Sequence, residues 1–517
     1  MPRLDEKPYT YFTTVRGTCR GCRRIVPARV FFRDGRVWQQ SLCPHCGERE
    51  PALIAGDQGW YLENAVRPFS DRGPLPHAHA PSLGCPHDCG PCTWHASPCQ
   101  LPVISITNAC NLRCPICFTY NRADRLFFMT PDEMRRTVDA LVAMAGPVDV
   151  LDITGGEPTL HPHLIELLRC CRRPEIGRVT MNSNGLRLAE DYPLCEQLTE
   201  LGICVVLSFN TFDRAAAVRL HGADVLDAKL RAIENLTRAG VRMTLLNVMI
   251  RGVNEDAAGS ILDLMRGNDS ILSLTVQTMT YTGQGGGQVA ERRHVPVDDA
   301  ARIVSAHSRG ELEFSDFHTR PSAHPLCYLV CYMLKSGRTL LPFARFAPPE
   351  RLAAMMRDSY LMRLGDRAGN DGRGVAWASR PRTIENRRRD ACATFTRPAP
   401  TDEREFFREV IDTLYAEGRT EPLRVFRDLV GRLYPTDRTI DAFERQRIAE
   451  SAVRTIYLHA HMDEDTFDCS RTMLCPDLVP CTDGARGGAP ARLIPACTYN
   501  LFYRMQDERF YAKEEAR

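Results

Sequence analysis

The amino-acid sequence predicts an α/β protein built around a parallel sheet or barrel, with cysteine-rich segments on either side. Three observations carry that prediction. Between about Pro102 and Gln284, short apolar runs alternate with amphipathic helical stretches in the βαβ rhythm of a parallel sheet. The 22 cysteines fall mostly in C-x2-C or C-x3-C groups, before this region, at its start and towards the end of the chain. A length of 517 residues leaves room for roughly two to four domains and at least one large core.

Composition narrows the function classes. Lys and Arg number 66 against 64 Asp and Glu, a net charge of +2, so no charge field calls for nucleic acid or an anionic membrane. No run reaches the roughly 18–20 uninterrupted apolar residues of a transmembrane helix, and the opening Met-Pro-Arg-Leu-Asp-Glu-Lys does not read as a signal peptide. A cytoplasmic protein is expected, at most peripheral to a membrane. Without a secretion signal, paired cysteines point to metal rather than to disulfides. The scattered Cys170, Cys171, Cys195, Cys204 and Cys392 read instead as small buried hydrophobes.

From the N-terminus, residues 1–75 hold Cys19-Arg-Gly-Cys22 and Cys43-Pro-His-Cys46 on either side of a hairpin-like stretch. Two such knuckles make a tetrahedral four-sulfur site for Zn²⁺ or a single rubredoxin-like Fe, which sulfur ligands alone do not separate. A structural staple is the expected role, because a unit of about 50 residues has too little core to hold itself together. Residues 76–101 carry Cys85-Pro-His-Asp-Cys89-Gly-Pro-Cys92 and Cys99 in a loop rich in Pro and Gly, a wrapping suited to a closed auxiliary [4Fe–4S] cluster. Residues 102–300 form the expected barrel. Its strands are read at Val103–Thr107, Val148–Thr154, Arg178–Ser183, Cys204–Phe209, Thr244–Ile250 and Leu272–Thr278, with helices such as Pro131–Ala145 and Leu226–Ala239 between them. Gly283-Gln-Gly-Gly-Gly287 reads as flexible loop, since no Walker lysine follows. Residues 301–517 make a C-terminal α+β lobe, mostly charged amphipathic helix between Thr401 and His461.

The chemistry concentrates in Asn108-Ala-Cys110-Asn-Leu-Arg-Cys114-Pro-Ile-Cys117-Phe118. Thiolates spaced C-x3-C-x2-C hold three corners of a [4Fe–4S] cube and leave its fourth iron open to a small molecule. Some forty residues on, Gly155-Gly156-Glu157-Pro158 ends a strand. Glycines there allow close backbone approach, and a carboxylate can accept from an ammonium group. Together the two motifs resemble the radical S-adenosylmethionine (SAM) superfamily. The resemblance implies a partial (β/α)6 TIM-type barrel in an enzyme that reductively cleaves SAM to a 5′-deoxyadenosyl radical, which abstracts hydrogen from an unactivated carbon. It implies that Cys110, Cys114 and Cys117 bind the catalytic cube and that Gly155, Gly156, Glu157 and Pro158 hold the methionine end of SAM. Asn182-Ser-Asn184, Ser208-Phe-Asn210 and the segment around Arg251 each end a candidate strand and resemble later SAM-contacting motifs. Gln277, on the sixth strand, is expected to face the cavity. TIM-type barrels carry their chemistry on loops at the C-terminal strand ends, where these motifs fall. One departure is Ile116, where the superfamily usually has an aromatic residue before the third cysteine.

With its flanks included, the pattern is similar to the family of archaeal tetraether lipid synthase and its bacterial relatives, also assigned as class D radical SAM methylases. The matching segments are the N-terminal knuckles, Gly84 to Cys92, Ile250-Arg-Gly-Val-Asn254, His324-Pro-Leu-Cys327 and Arg492-Leu-Ile-Pro-Ala-Cys497-Thr-Tyr-Asn500. The likeness implies a second auxiliary [4Fe–4S] cluster at Cys327, Cys475 and Cys497, three cubes in all beside the Zn or Fe site, and an electron donor of flavodoxin or ferredoxin type. Cys331, Cys469 and Cys481 are each open as a fourth ligand or as inert. Radical carbon–carbon coupling on a lipid-like substrate is the expected function. The rival enzyme is a C-methyltransferase acting on a pterin-like or other heteroaromatic substrate, and the non-enzyme rival is a zinc-knuckle binding module. An isolated set of three cysteines argues against the last, because zinc sites of that kind are closed by four ligands. Two departures from the synthases are Ser208-Phe-Asn-Thr-Phe-Asp213 and the insertion Ala485 to Pro490. A long apolar tunnel would fit a lipid, and a compact polar pocket a pterin.

Overall fold

A computed structural model describes residues 7–65, 79–90, 92–119, 126–356, 360–362, 403–438, 440, 442–481, 492–507 and 509–510. Two sheets organise them. The smaller is antiparallel: β1 (Thr10–Thr18), β2 (Ile25–Arg33), β3 (Arg36–Cys43) and β4 (Gly47–Glu48) pair in order, and β5 (Ala52–Ala55) adds to β3. Its core is a handful of side chains, among them Val30, Phe32, Val37 and Ile54. Docking onto the rest of the chain therefore matters. Asp298, buried on the helix Val297–Ala306, accepts from the backbone N–H groups of Gly56 and Asp57 at 3.0 Å. Gln39 donates to the Phe467 carbonyl at 2.8 Å.

The larger sheet has twelve strands. Six are parallel and neighbour one another in chain order: β6 (Leu101–Ser105), β7 (Val148–Thr154), β8 (Ile176–Ser183), β9 (Cys204–Ser208), β10 (Met243–Met249) and β11 (Ile271–Thr278). The helices between them cover the outer face. Pro131–Ala145 shows why the sequence places one there: Thr130 accepts from the Glu133 backbone N–H, Glu133 reaches back to the Thr130 N–H at 2.7 Å, and Pro131 opens the first turn. Met134, Val138 and Leu141 then recur at helical spacing and bury one face.

The C-terminal region feeds both edges of this sheet. β15 (Val453–His459) lies parallel to β11, with Gln277 opposite His459, and β16 (Asp477–Cys481) lies parallel to β6. β17 (Arg492–Pro495) pairs with β16, while β12 (His318–Thr319), β13 (Tyr328–Ser336) and β14 (Thr339–Pro342) extend the other edge beyond β15. The segment read as helix up to His461 is helical only as far as Ala452, in Glu403–Ala416, Thr420–Leu433 and Ala442–Ala452. Val453–His459 is a strand because it runs between β11 and β13 with nearly every residue buried, a place where a charged helix would not fit. Among the described residues no helix is long and apolar enough to cross a membrane.

Successive strand residues face opposite ways, so each central strand presents one row outward and one row to the barrel interior. Leu151, Ile153, Val179, Met181, Leu274 and Val276 belong to the main apolar core. The alternate residues Asp152, Thr180, Asn182, Thr275 and Gln277 line an interior cavity instead. The same cavity is also lined by Val150, Val206, Leu246 and Tyr457, so the interior sets a few polar groups among apolar and aromatic ones.

Candidate active site

The loop leaving β6 carries the three spaced cysteines, and the turn leaving β7 is locked against it. The Gly156 N–H donates to the Thr107 carbonyl at 2.8 Å, and the Glu157 N–H to the Ala109 carbonyl at 2.7 Å. A Cβ at Gly155 would fall 2.2 Å from the Thr107 oxygen, and one at Gly156 2.2 Å from the Ala109 oxygen. Only glycine permits backbones to pass this closely. The Glu157 carboxylate is buried: Oε1 accepts from the Thr159 N–H (3.2 Å), the Thr159 hydroxyl (2.6 Å) and the Ser183 hydroxyl (2.9 Å), and Oε2 accepts from the Asn184 N–H (2.6 Å). Burial pushes its pKa up while these hydrogen bonds pull against it. Glu157 thus ties the ends of β7 and β8 together and keeps acceptor capacity on Oε2 for a ligand ammonium.

The glycine-rich segment expected to be flexible closes the other side. Gly283–Gly286 forms a helical turn packed on the cysteine loop. The Gln284 N–H donates to the Thr119 carbonyl at 2.9 Å, and the Gly285 and Gly286 N–H groups to the Cys117 carbonyl at 3.0 and 3.2 Å. A Cβ at Gly285 would sit 2.5 Å from the carbonyl oxygens of both Cys114 and Pro115. These glycines serve contact with backbone rather than mobility.

Together the loops enclose a cavity of about 770 Å³ that reaches Cys110, Cys114 and Cys117. His221 Nδ1 lies 3.6 Å from Cys114 Sγ, and the buried Lys229 donates to the carbonyls of Asn184 (3.1 Å) and Ser208. Burial, with the neighbouring Cys117 and Cys110 thiols, pushes the Cys114 thiol up to about 12. A coordinated metal would hold such a sulfur as thiolate outright. Three thiols on one loop beside a glycine-lined turn and a carboxylate with an open lone pair fit an iron–sulfur cube that carries a small-molecule ligand.

In the small sheet, the sulfur atoms of Cys19, Cys22, Cys43 and Cys46 lie within 4.8 Å of one another, as a tetrahedral metal site requires. Residues 11–54 match the HMPTM N-terminal zinc ribbon domain. Residues 104–265, which contain the cysteine loop and the Gly-Gly-Glu turn, match the radical SAM superfamily. The barrel over these residues is of the radical SAM type. Among its relatives is a 7,8-dihydro-6-hydroxymethylpterin dimethyltransferase of Methanocaldococcus jannaschii, 28% identical over 316 residues that cover 60% of this chain and 62% of the relative. A probable GTP 3′,8-cyclase of Pyrococcus abyssi is 35% identical over 164 residues, 32% of this chain and 51% of that one. The similarity thus spans less than two thirds of either relative. Among solved structures, SuiB of Streptococcus suis bound to S-adenosylmethionine is similar with 21% identity and a TM-score of 0.34, covering 41% of this chain and 47% of that one.

Of the residues expected to contact SAM in this radical SAM barrel, Gly155, Gly156, Glu157, Asn182, Asn184 and Ser208 line the cavity beside the cysteines. Pro158 begins a short 3-10 turn behind it. Two others are engaged elsewhere. Asn210 is buried, accepting from the Val248 N–H at 2.7 Å, and Arg251 pairs with Asp299 at 2.7 Å. Gln277 lines a second, deeper cavity of about 200 Å³, which meets the first at Phe118, Thr119, Thr154 and Asn182. Here lie residues that sequence reasoning missed: Asp152, His459 and Asp477. Burial pushes the carboxyls up, Asp152 to about 7 and Asp477 to about 6. A signal for Asp152 was available, an acidic residue interrupting an apolar strand. Asp477 offered none.

Cys85, Cys89 and Cys92 lie near one another with Cys469 as a neighbouring thiol, its Sγ 3.5 Å from the Cys85 carbonyl oxygen. Cys85 and Cys469 share a side-chain hydrogen bond, and Cys89 feels the charge of both Cys92 and Cys469. By Cys99 the chain has turned into β6, and this side chain enters the main apolar core near Asp477. Cys469→Ala should therefore lower the iron and sulfide of anaerobically reconstituted protein by about one cluster, roughly four irons. Cys99→Ala should leave the iron content near that of the parent, and the opposite result would return the fourth corner to Cys99. Cys327, Cys475 and Cys497 also converge, since the charges of the other two act on Cys475. Arg471 Nε donates to Cys327 Sγ at 3.3 Å, and His461 Nδ1 lies 3.4 Å from Cys497 Sγ. Cys331 is buried within β13, and Cys481 packs with Ile494 and Tyr499. Cys171, Cys195 and Cys204 are fully buried and Cys170 partly so, while Cys392 and the insertion 485–490 lie outside the described residues.

Proposed function

We propose that this radical SAM protein methylates carbon on a pterin-like heteroaromatic ring. The observation that carries the reading is the deep cavity: at about 200 Å³ it is small, and Asp152, Asn182, Gln277, His459 and Asp477 border it among aromatic side chains such as Tyr328, Tyr360 and Tyr457. Lipid coupling, the function expected from the sequence, calls for a long apolar tunnel, and neither relative named above is a lipid synthase. The likeness to a hydroxymethylpterin dimethyltransferase and the HMPTM-type ribbon support a pterin.

A [4Fe–4S] cube bound at Cys110, Cys114 and Cys117 supplies the electron for SAM cleavage. The chain's own groups set the geometry. Glu157 Oε2 and the glycine backbone at Gly155 and Gly156 receive the amino end of SAM, and Asn182 sits where the two cavities meet. Burial at the barrel centre keeps water from the reacting carbon, while the aromatic side chains pack against the ring and the few polar groups between them hold it in one orientation. Cys85, Cys89, Cys92 and Cys469, and separately Cys327, Cys475 and Cys497, are the residues that would hold auxiliary clusters, with a flavodoxin- or ferredoxin-type donor as partner.

Anaerobically reconstituted protein given SAM, a reductant and 7,8-dihydro-6-hydroxymethylpterin should return pterin heavier by one or two methylene units, with 5′-deoxyadenosine from the SAM that is cleaved and S-adenosylhomocysteine from the SAM that donates each methyl group. Pterin recovered unchanged while a long-chain lipid is consumed would overturn the reading.

A further inference from the structure

The deep cavity contains an acceptor that the chain itself leaves unused. Asp477 opens β16 immediately after the Cys475-Pro476 step and is 3% exposed. Its Oδ2 accepts from the Tyr328 hydroxyl and lies 3.6 Å from His459 Nε2. Its Oδ1 is buried and has no hydrogen-bond partner among the described residues. A buried carboxylate oxygen in this condition destabilises the fold unless something entering the cavity donates to it. The other carboxylate of the cavity is not in this position: Asp152 accepts from the Thr180 hydroxyl and the Asn182 amide, each at 2.6 Å. Gln277 lines the same cavity with a side-chain amide for which the described residues provide no hydrogen bond. The cavity thus offers one open anionic acceptor and one open amide within a space at the small end for a ligand site.

We propose that the Asp477 carboxylate accepts from the ring N–H and exocyclic amino group of an aminopyrimidinone, one on Oδ1 and the other on the lone pair of Oδ2 left beside Tyr328, making Asp477 the residue that selects this ring class. The assignment rests on the pterin reading and specifies which edge of the ring is held. An aminopyrimidinone carries two N–H donors side by side, spaced like those of a guanidinium, and a carboxylate is the acceptor that matches such a pair. The carbonyl on the same ring then meets a donor, the role open to the Gln277 amide. A lipid tail would leave Asp477 Oδ1 buried and unpaired, the arrangement by which polar sites reject apolar ligands most strongly.

The test uses the reconstituted holoenzyme and two probes, 7,8-dihydro-6-hydroxymethylpterin and its analogue without the 2-amino group, with binding followed by pterin fluorescence. The parent protein should bind the amino compound roughly 10- to 100-fold more tightly than the analogue. In Asp477→Asn the preference should shrink to near unity, because an amide presents a donor where the ring also presents donors. Iron content and SAM binding, measured alongside, show whether the variant has kept its structure. If it has not, the comparison of the two probes on the parent protein decides alone. No preference in the parent, or a preference that survives in a well-folded Asp477→Asn, overturns the assignment and leaves the pterin reading standing. A holoenzyme that binds neither probe overturns both.

Discussion

Cys114→Ala should abolish 5′-deoxyadenosine formation from SAM. Cys114 is the middle thiol of the loop, with the charges of Cys110 and Cys117 both acting on it, and all three line one cavity. A cube that depends on three protein corners loses its hold when one is removed. Nearby groups do not substitute: His221 is the side chain beside Cys114 Sγ, its own Nε2 lies 3.3 Å from the Asn210 amide, and burial pushes its pKa down to about 3. The fold should survive, because Cys114 is only partly buried on a loop and contributes little to the core. Iron analysis should therefore show a loss of about one cluster with the Cys19–Cys46 ribbon still metallated. Continued SAM cleavage by the variant would refute the assignment of the loop.

Six parallel strands were legible because each is a compact apolar run bounded by turn residues, and the structure places every one within two residues of the expected bounds. β15 was missed for a local reason. Val453-Arg-Thr-Ile-Tyr-Leu-His459 follows three charged helices without a glycine or proline to mark the change, and only pairing with β11 and β13 makes it a strand. The cysteine loop and Gly-Gly-Glu turn were legible as spacing. The inner row was written in the strands as well: Asp152 and Thr154, Thr180 and Asn182, Thr275 and Gln277 recur at every second residue, yet only Asn182 and Gln277 stood out against the apolar partners between them. What spacing could not supply was contact across long separations. Cys469 beside Cys85 and Asp477 beside Tyr328 depend on strands that return from the far end of the chain to the β6 edge.

Gly156→Ala should weaken SAM binding more than tenfold and reduce the iron retained by the cysteine loop. The added methyl would lie 2.2 Å from the Ala109 carbonyl oxygen and 2.8 Å from that of Asn108, both backbone atoms that no side-chain rotation can move aside. Relief requires separating the β7 turn from the cysteine loop, which breaks the bonds from Gly156 N–H to Thr107 (2.8 Å) and from Glu157 N–H to Ala109 (2.7 Å). Forcing a methyl into packed surroundings costs about 1–3 kcal/mol, and two strained backbone hydrogen bonds add about 1 kcal/mol each. Since Glu157 leaves through the same turn, its carboxylate shifts away from Ser183 and Asn184, and the acceptor offered to the SAM ammonium moves with it. Gly431→Ala is the matched control. That glycine sits in the helix Thr420–Leu433 with nothing within 4 Å of the added methyl, so the substitution should leave SAM binding unchanged and stabilise the helix by about 0.5–1 kcal/mol. If both variants bind SAM like the parent, the contact between the two loops is not what shapes the site. If only Gly156→Ala fails, the glycines of the motif act through the cysteine loop as well as through direct contact with SAM.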